Sequence, residues 1–539
     1  MRKKLYLTTA IDYPMGRPHL GNAFEKIGAD VQARYRRMQG YDVRLLLGSD
    51  EHTVLIPRYA SAANIPTTAF VQQRAAVMQS AWRALNVNPD QFVRTSSARH
   101  ERGCRLLVQT LHDGGFLYRK RHEALYCENC EEFKRPSDLR EGFCDSHPSV
   151  RAIVVREENY FFRLASFQER LLELYARRPD FLRPAAVQMD IVAAISRGLD
   201  DIAITRQHLE WGIRVPFDAG QTIYVWVDAL ASYLTAAGYG SNDASFRRWW
   251  PAELQVIGRD IAWFHGVLWP ALLMASGVEL PRHIEVHGLM RHQGEKMSKT
   301  MGNVVDALEL ADRYGADAVR FFLMRTCPFH EDGDFSDERF ADVYRRELAG
   351  QLGVLYDTAA ALCLETSGSL MRDTSGERLV VFGGTGLPEI VEEMRVRLER
   401  CEYDLALATL FERVVSPAMR NFDAVRPALQ GSSDTNLRAR IAIELIEVLR
   451  VIAIALKPFT PETSVKIYET FGHVTAFDDL RLEDAGRPAP LSPDALQRAA
   501  RDLGGRTPLF PPIDMRGASV ARIAGTSLRI DPALWRSIP

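Results

Sequence analysis

The stretch from Lys4 to His52 constrains the fold more than any other. Residues 4 to 11, KLYLTTAI, read as a short strand that ends in a Gly–Pro turn, YPMGRPHLGN. From Leu20 the spacing changes, with Leu20, Phe24, Ile27, Val31, Tyr35 and Met38 recurring at helical intervals until Gly40 ends the pattern. DVRLLLGSDEH then reads as a buried strand running into an acidic turn. Strand, turn, helix and strand in this order make a βαβ unit, because parallel neighbours need a crossover of a dozen residues or more. The fold class follows: an α/β protein with a Rossmann-type parallel sheet, its ligand crevice at the carboxyl ends of the strands.

At 539 residues the chain exceeds what one hydrophobic core serves, so further units are expected. Over 116–215 Cys and His appear, and aromatic pieces such as ENYFFRL alternate with polar turns. This texture marks an insertion that splits the parallel domain into 1–115 and 216–335. Strand-like runs resume at QTIYVWVDAL, LQVIGRD and HIEVHG, followed by the loop MRHQGEKMSKTMGN. Over 336–539 the pattern is almost wholly helical, as in RARIAIELIEVLRVIAIALKPF, which predicts a helical bundle and a tail. TSGSLMRDTSGER and RPALQGSSDTN read as exposed loops.

With 46% hydrophobic and 25% charged residues the composition is that of a globular protein, neither disordered nor a coiled coil. Lys+Arg 67 against Asp+Glu 69 gives no support for an RNA partner, nor does it exclude one, since local patches create the attracting field. The apolar run of MRKKLYLTTAID is interrupted by Thr8 and Thr9 and stopped by Asp12, too short for a secretory leader. Val451 to Leu456 falls far below the ~20 residues that span a bilayer. A soluble cytoplasmic protein without membrane contact is expected. Seven cysteines form no disulfide framework, and three of them cluster at 127, 130 and 144. Cys127-x2-Cys130 and Cys144-x2-His147 have the spacing of a tetrahedral zinc site with three thiolates and one imidazole. With no coordination position left open, that Zn2+ would be structural.

Two further motifs point to phosphate chemistry. A single histidine beside a glycine in a turn is ordinarily structural. PHLGN, however, follows a strand and opens a helix, where unpaired backbone N–H groups and the helix dipole favour a polyphosphate. His19 there can donate a hydrogen bond to an α-phosphate as it becomes five-coordinate. In EKMSKT, Lys296 and Lys299 flank Ser298 between Gly294 and Gly302. Two lysines in such a loop are ordinarily a solvated surface, yet they are also what holds a departing pyrophosphate.

Together, PHLGN and KMSKT resemble the HIGH and KMSKS signatures of class I aminoacyl-tRNA synthetases. The text between and beyond narrows the resemblance to the methionyl-tRNA synthetase family: GSDEH, the CENC and CDSH pairs, EENYFFRL, YVWVDALASYL, VIGRDIAWFHGVLWPALL, EKMSKTMGNVVD, GADAVRFFLMR, DGDFS, LKPFTPETSVKIYE and PLFPPID, in collinear order. The resemblance implies a Rossmann catalytic domain split by a connective insertion with a zinc knuckle, then an α-helical anticodon-binding domain. It implies that methionine and ATP, with Mg2+, give methionyl-adenylate and pyrophosphate, and that the methionyl group passes to the 3′ end of tRNA(Met). His19, Asn22, Asp260, Lys296 and Lys299 would contact ATP, with the two lysines on the β- and γ-phosphates. The amino-acid site would comprise Ala10, Ile11, Tyr13, Asp50, Trp226, Ala229, Leu230, Tyr233, Ile261 and His265, with Asp50 pairing the substrate ammonium and the aromatic faces holding the thioether. A monomer is expected.

The sequence departs from the family in several places. Asn22 stands where many members carry His, though its amide still donates a hydrogen bond. Thr53 replaces the Gly that follows DEH, and Thr300 replaces the second Ser of the KMSKS signature. In the helical region Val354, Thr358 and Ala428 occupy the positions of an Asn, an Arg and a Trp that read the anticodon. Two readings of the acceptor stay open: tRNA(Met) recognised by substitute residues, or a paralogue that passes the aminoacyl group to a non-tRNA acceptor as an amide ligase. A non-catalytic relative is disfavoured by the presence of His19, Asp50, Lys296 and Lys299.

Overall fold

The computed structural model describes residues 3–145, 147–297, 303–366, 386–431, 433–487 and 508–511. Its centre is a six-stranded sheet in which all the pairings are parallel. Strand β1 (Lys4–Thr9) lies between β2 (Asp42–Ser49) and the strand Leu254–Gly258. Outside β2 comes β3 (Gln91–Arg94); on the other side follow His283–His287 and the two-residue edge strand Leu182–Arg183. Thr8 of β1 pairs with Leu46 on one side and Gln255 on the other. The chain therefore leaves β1 between two neighbours that diverge in connection, which opens a crevice at the carboxyl end of β1.

Helix α1 (Leu20–Met38) follows the predicted periodicity and is buried on nearly every side. One side faces the sheet; the other carries the helical region. Gly28 is required by the packing of Phe329 on this helix, because a Cβ there would lie 2.3 Å from the Phe329 ring. Nearby, the Tyr403 hydroxyl donates to the Gly28 carbonyl at 2.8 Å. Arg320, wholly buried, pairs with Asp30 of α1 at 2.7 Å and donates to the carbonyls of Leu85, Asn86, Pro458 and Phe459. A guanidinium so completely partnered can be tolerated in a core.

Between the halves of the sheet, Leu117–Cys127 pairs antiparallel with Ile153–Phe162, flanked by Glu132–Lys134 and Ile202–Ala203. From Asp337 onward the described elements are almost all helical, from Asp337–Val343 to Pro461–Thr470. Among the described residues no helix is long and apolar enough to cross a membrane.

Three local expectations differ from what is found. QTIYVWVDAL is only in part a strand: Asp218–Ile223 is extended, then Val225–Ala237 is a helix. This helix is buried nearly all round, so its apolar run shows no alternation or stripe to separate the two forms. The loop MRHQGEK is a hairpin, with Met290–His292 antiparallel to Glu295–Lys296. Gln293 and Gly294 both have positive φ, 53° and 80°, which the tight turn requires. RPALQGSSDTN is not mainly loop, because the helix Ser416–Gly431 runs through Pro427. Phe422, Val425 and Leu429 recur at helical spacing toward the core and hold it. Of the other expected loop, TSGSLMRDTSGER, all but its first residue lies outside the described residues.

Candidate active site

His19 is the N-cap of α1. Its Nδ1 accepts the backbone N–H groups of Gly21 and Asn22 at 3.0 and 3.3 Å, and the Asn22 side-chain oxygen accepts from the His19 backbone. A nitrogen that accepts carries no proton, so the neutral ring bears its hydrogen on Nε2. The turn thus closes a loop and presents an imidazole donor at the same time. The Asn22 amide donates to Asp12 at 2.9 Å, and Asp12 in turn accepts the backbone N–H of Asp50 on its carbonyl at 2.9 Å. Lys26 lies buried between Asp12 and Glu25, at 3.0 and 2.7 Å. Burial opposes its charge, but the two carboxylates outweigh it and raise its pKa.

The segment after the KMSKT motif docks on this turn. Leu20 N–H donates to the Val305 carbonyl at 3.0 Å, and Arg17 pairs with Asp306 at 2.9 Å. Before the motif, His292 is held 2.9 Å from the Asn303 carbonyl. Lys296 ends the hairpin strand; Lys299 and Thr300 lie outside the described residues.

The amino-acid residues named from the sequence converge beside the turn. Trp226, Ala229, Leu230 and Tyr233 have the spacing i, i+3, i+4, i+7 on the helix Val225–Ala237, hence one face. Trp226 stacks on Phe264 with ring centroids 3.8 Å apart and planes within 2°. Ala10 and Ile11 follow β1; Ala10 N–H donates to Val256. Ile11 approaches β2 closely because residue 48 is glycine, where a Cβ would come within 2.7 Å of the Ile11 side chain. Ile261 lies in the turn after the strand Leu254–Gly258, and His265 one turn later joins its Nδ1 to the Ile261 carbonyl at 3.1 Å. A carbonyl only accepts, so Nδ1 carries the proton and Nε2 accepts the Tyr233 hydroxyl at 2.8 Å. Burial pushes His265 down to about 4, which keeps it neutral.

Asp50 is buried at the end of β2, near Tyr13 and Tyr233. The His52 backbone N–H donates to its carboxylate, but among the described residues Oδ1 has no hydrogen-bond partner. Burial, then the charges of Asp228 and Glu131, raise its pKa far above the carboxylate range. Such a group is short of a cation. The Trp226 indole N–H is likewise buried and, among the described residues, without a hydrogen-bond partner. Asp260 is exposed, its Oδ1 lying over Gly258, where a Cβ would meet it at 2.5 Å. Thr53 is buried, and its hydroxyl accepts the Leu55 N–H at 3.2 Å, so the extra side chain caps the following turn.

Cys127, Cys130 and Cys144 bring their sulfurs within 4.8 Å of one another, with 3.4 Å between Cys130 and Cys144. All three are thiols, and the separation is near the roughly 3.8 Å expected between thiolates on one tetrahedral zinc. The cluster could hold a metal ion. The backbone of His147 follows on the strand His147–Arg151. Val354 and Thr358 lie half-buried on the helix Val354–Glu365, and Ala428 is exposed.

Sequence reasoning missed Asp228, His100 and Glu131. Glu131, next to Cys130, accepts the Val54 N–H at 2.6 Å and binds Tyr13. No motif marks these positions; Asp228 sits within the apolar helix run, where a lone carboxylate was the available signal.

Comparison with known proteins agrees with this geometry. The pattern of the family described as tRNA synthetases class I (M) matches residues 5–152 and 134–359. The chain is 37% identical over 495 residues to the methionine–tRNA ligase of Caldanaerobacter subterraneus subsp. tengcongensis, covering 89% of this chain and 76% of that protein. It is 36% identical over 484 residues to that of Mycobacterium tuberculosis, covering 87% and 92%. The crystal structure of Mycobacterium tuberculosis methionyl-tRNA synthetase bound by methionyl-adenylate superposes with a TM-score of 0.84 at 34% identity, covering 94% and 100% of the two chains. The free form of that enzyme gives 0.77. In sequence and in backbone alike, this chain belongs to the methionyl-tRNA synthetase family of class I synthetases.

Proposed function

We propose that the protein is a methionine–tRNA ligase, which activates L-methionine with ATP and transfers the methionyl group to the 3′ end of tRNA(Met). The observation that carries this reading is Asp50, a buried carboxylate with no cation paired to it among the described residues, set beside an aromatic and aliphatic face and one backbone hydrogen bond from Asp12, which precedes the turn. Asp50 pairs the methionine ammonium. Trp226, Tyr13 and Tyr233 hold the thioether chain, and Ala10, Ile11, Ala229, Leu230, Ile261 and His265 complete the wall. The methionine carboxylate oxygen attacks the α-phosphorus, and the bond to the β-phosphate oxygen breaks, releasing pyrophosphate. His19 Nε2–H and the Asn22 amide stabilise charge on the phosphates as it develops, and Asp260 takes part in ATP binding. Lys296 and Lys299 neutralise the β- and γ-phosphates, and Mg2+ accompanies ATP. A tRNA hydroxyl then attacks the methionyl carbonyl carbon and AMP leaves.

Zn2+ held by Cys127, Cys130, Cys144 and His147 would be structural, since it keeps no open position. This reading takes a cytoplasmic monomer, with 1–115 and 216–335 as the catalytic domain, 116–215 as the insertion and 336–539 as the anticodon-binding region. The test is ATP–pyrophosphate exchange that depends on methionine, followed by charging of tRNA bearing CAU. Exchange without charging would favour an amide-ligase paralogue; no exchange would overturn the activation chemistry itself.

A further inference from the structure

Asp228 lies on the helix Val225–Ala237, buried, on the side away from no single partner but between two histidines. Its Oδ2 is 2.7 Å from Nδ1 of His52, in the turn after β2. Its Oδ1 is 2.5 Å from Nε2 of His100, in the first turn of the helix Ala98–Asp113. His100 reaches back through Nδ1 to the Thr235 hydroxyl at 2.8 Å, two turns further along the helix that carries Asp228. Three elements therefore meet on one carboxylate.

The His52 residue makes two connections at once. Its ring holds Asp228, while its backbone N–H donates to the Asp50 carboxylate. The ring packs edge-on against Trp211, whose Nε1–H donates to the Glu51 carbonyl at 2.6 Å, so the turn is braced from its outer side as well. On the helix, Asp228 immediately precedes Ala229 and Leu230 and lies two residues after Trp226.

We infer that Asp228, gripped by His52 and His100, is a positioning residue for amino-acid binding: it sets the distance between the carboxylate that takes the substrate ammonium and the helix face that takes the side chain. The inference rests on the assignment of Asp50 and Trp226 given above. Neither Asp228 nor His100 needs to touch substrate. An amino acid has a fixed span from its ammonium to its side-chain tip, and a site that reads that span needs its two ends held at constant separation.

Charge supports the geometry. Burial alone would raise Asp228, but the two histidines hold it at about 2, and Asp228 in turn raises His52. Asp228 is thus held as a carboxylate, whose hydrogen bonds are stronger than those between neutral groups. Cys104 also offers its sulfur within 4.8 Å of His100 and Asp228, a trio with metal-binding residue types. The contacts of 2.5 and 2.7 Å are shorter than the roughly 3.3 Å that separates two light-atom ligands on a tetrahedral ion. They are hydrogen bonds, and the trio is a brace.

The experiment is methionine-dependent ATP–pyrophosphate exchange with the full-length protein, reading KM for methionine, KM for ATP and kcat separately. His52→Ala removes the ring and is expected to raise KM for methionine at least tenfold while KM for ATP stays within twofold. His52→Asn places an amide nitrogen where Nδ1 was and should return KM for methionine to within about threefold of the parent. Thr235→Val, at the outer end of the chain of bonds, should raise it by two- to fivefold and keep the protein folded. A KM for methionine unchanged in His52→Ala and Thr235→Val, or equal rises for methionine and ATP without rescue by Asn, would overturn the positioning role. Absence of exchange in the parent protein would instead overturn the reading of the site, and the inference with it.

Discussion

Leu20 donates its backbone N–H to the carbonyl of Val305 at 3.0 Å, which joins the first residue of α1 to the segment that follows the KMSKT motif. Two pieces of sequence far apart in the chain are thereby anchored at one place. That place is the carboxyl end of a parallel sheet, at the N-terminus of α1, whose first backbone N–H groups are not left unpaired as the sequence suggested but are taken by Val305 and His19.

Capping and catalysis can be separated at His19. Asn is among the best N-cap residues, so His19→Asn should keep the start of α1 and shift the melting temperature little. It loses the imidazole donor, and exchange should fall by about 10²- to 10³-fold in kcat. Parent-like exchange with an intact fold would show that His19 only closes the loop.

The φ of −75° at Gly258 is open to any residue, and an added Cβ would crowd only the movable end of the exposed Asp260 side chain. Gly258→Ala places a Cβ 2.5 Å from Asp260 Oδ1 and should push that carboxylate aside. The expected result is a several-fold higher KM for ATP with KM for methionine unchanged. If both constants stay at the parent values, Asp260 is not part of ATP binding.

The brace around Asp228 predicts a pH window. Asp228 has a folded pKa near 2, below its ordinary value of 3.8, so its stabilisation is present above about 4 and is lost as the pH falls toward 2. His52 is shifted the other way, raised above 6.5, so its share is full below that value and is lost as the pH climbs through the raised pKa. The melting-temperature gap between the parent and Asp228→Asn should peak between about 4 and 6.5 and narrow on both sides. A gap independent of pH would mean that the contacts are not ionic.

The thiol cluster is checked by metal analysis. Cys127→Ser should lower bound zinc to well under one per chain, and a chelator should lower the melting temperature of the parent more than that of the variant. Zinc content equal to the parent's would remove the cluster from consideration.

Much of this was legible in the residues themselves. The pattern from Leu20 to Met38 changes period where the strand ends, and the structure places β1, α1 and β2 where that change put them. The spacing of Trp226, Ala229, Leu230 and Tyr233 is helical, though the apolar run around it reads as a strand, because an element buried on all sides loses its stripe. The edge strand Leu182–Arg183 is two residues long and carries no periodic signal at all. The hairpin over Met290–Lys296 was hidden for a different reason: its turn depends on Gln293 adopting positive φ, which Gln does without advertisement. Of the site, charged and metal-binding groups stood out, whereas Asp228 and His100 gain meaning only when three distant segments meet.

The buried junction of Arg320 with Asp30 has a bearing on how the protein can be cut apart. Arg320 also donates to the Pro458 and Phe459 carbonyls, so removing 336–539 would take two acceptors from this buried guanidinium and the Tyr403 hydroxyl from the Gly28 carbonyl, on the same helix whose first turn is capped by His19. A buried polar group left without its partner costs about 1–3 kcal/mol. The sheet domain and the helical region thus share one spine, and a load placed on the helices is carried along α1 to the turn at His19.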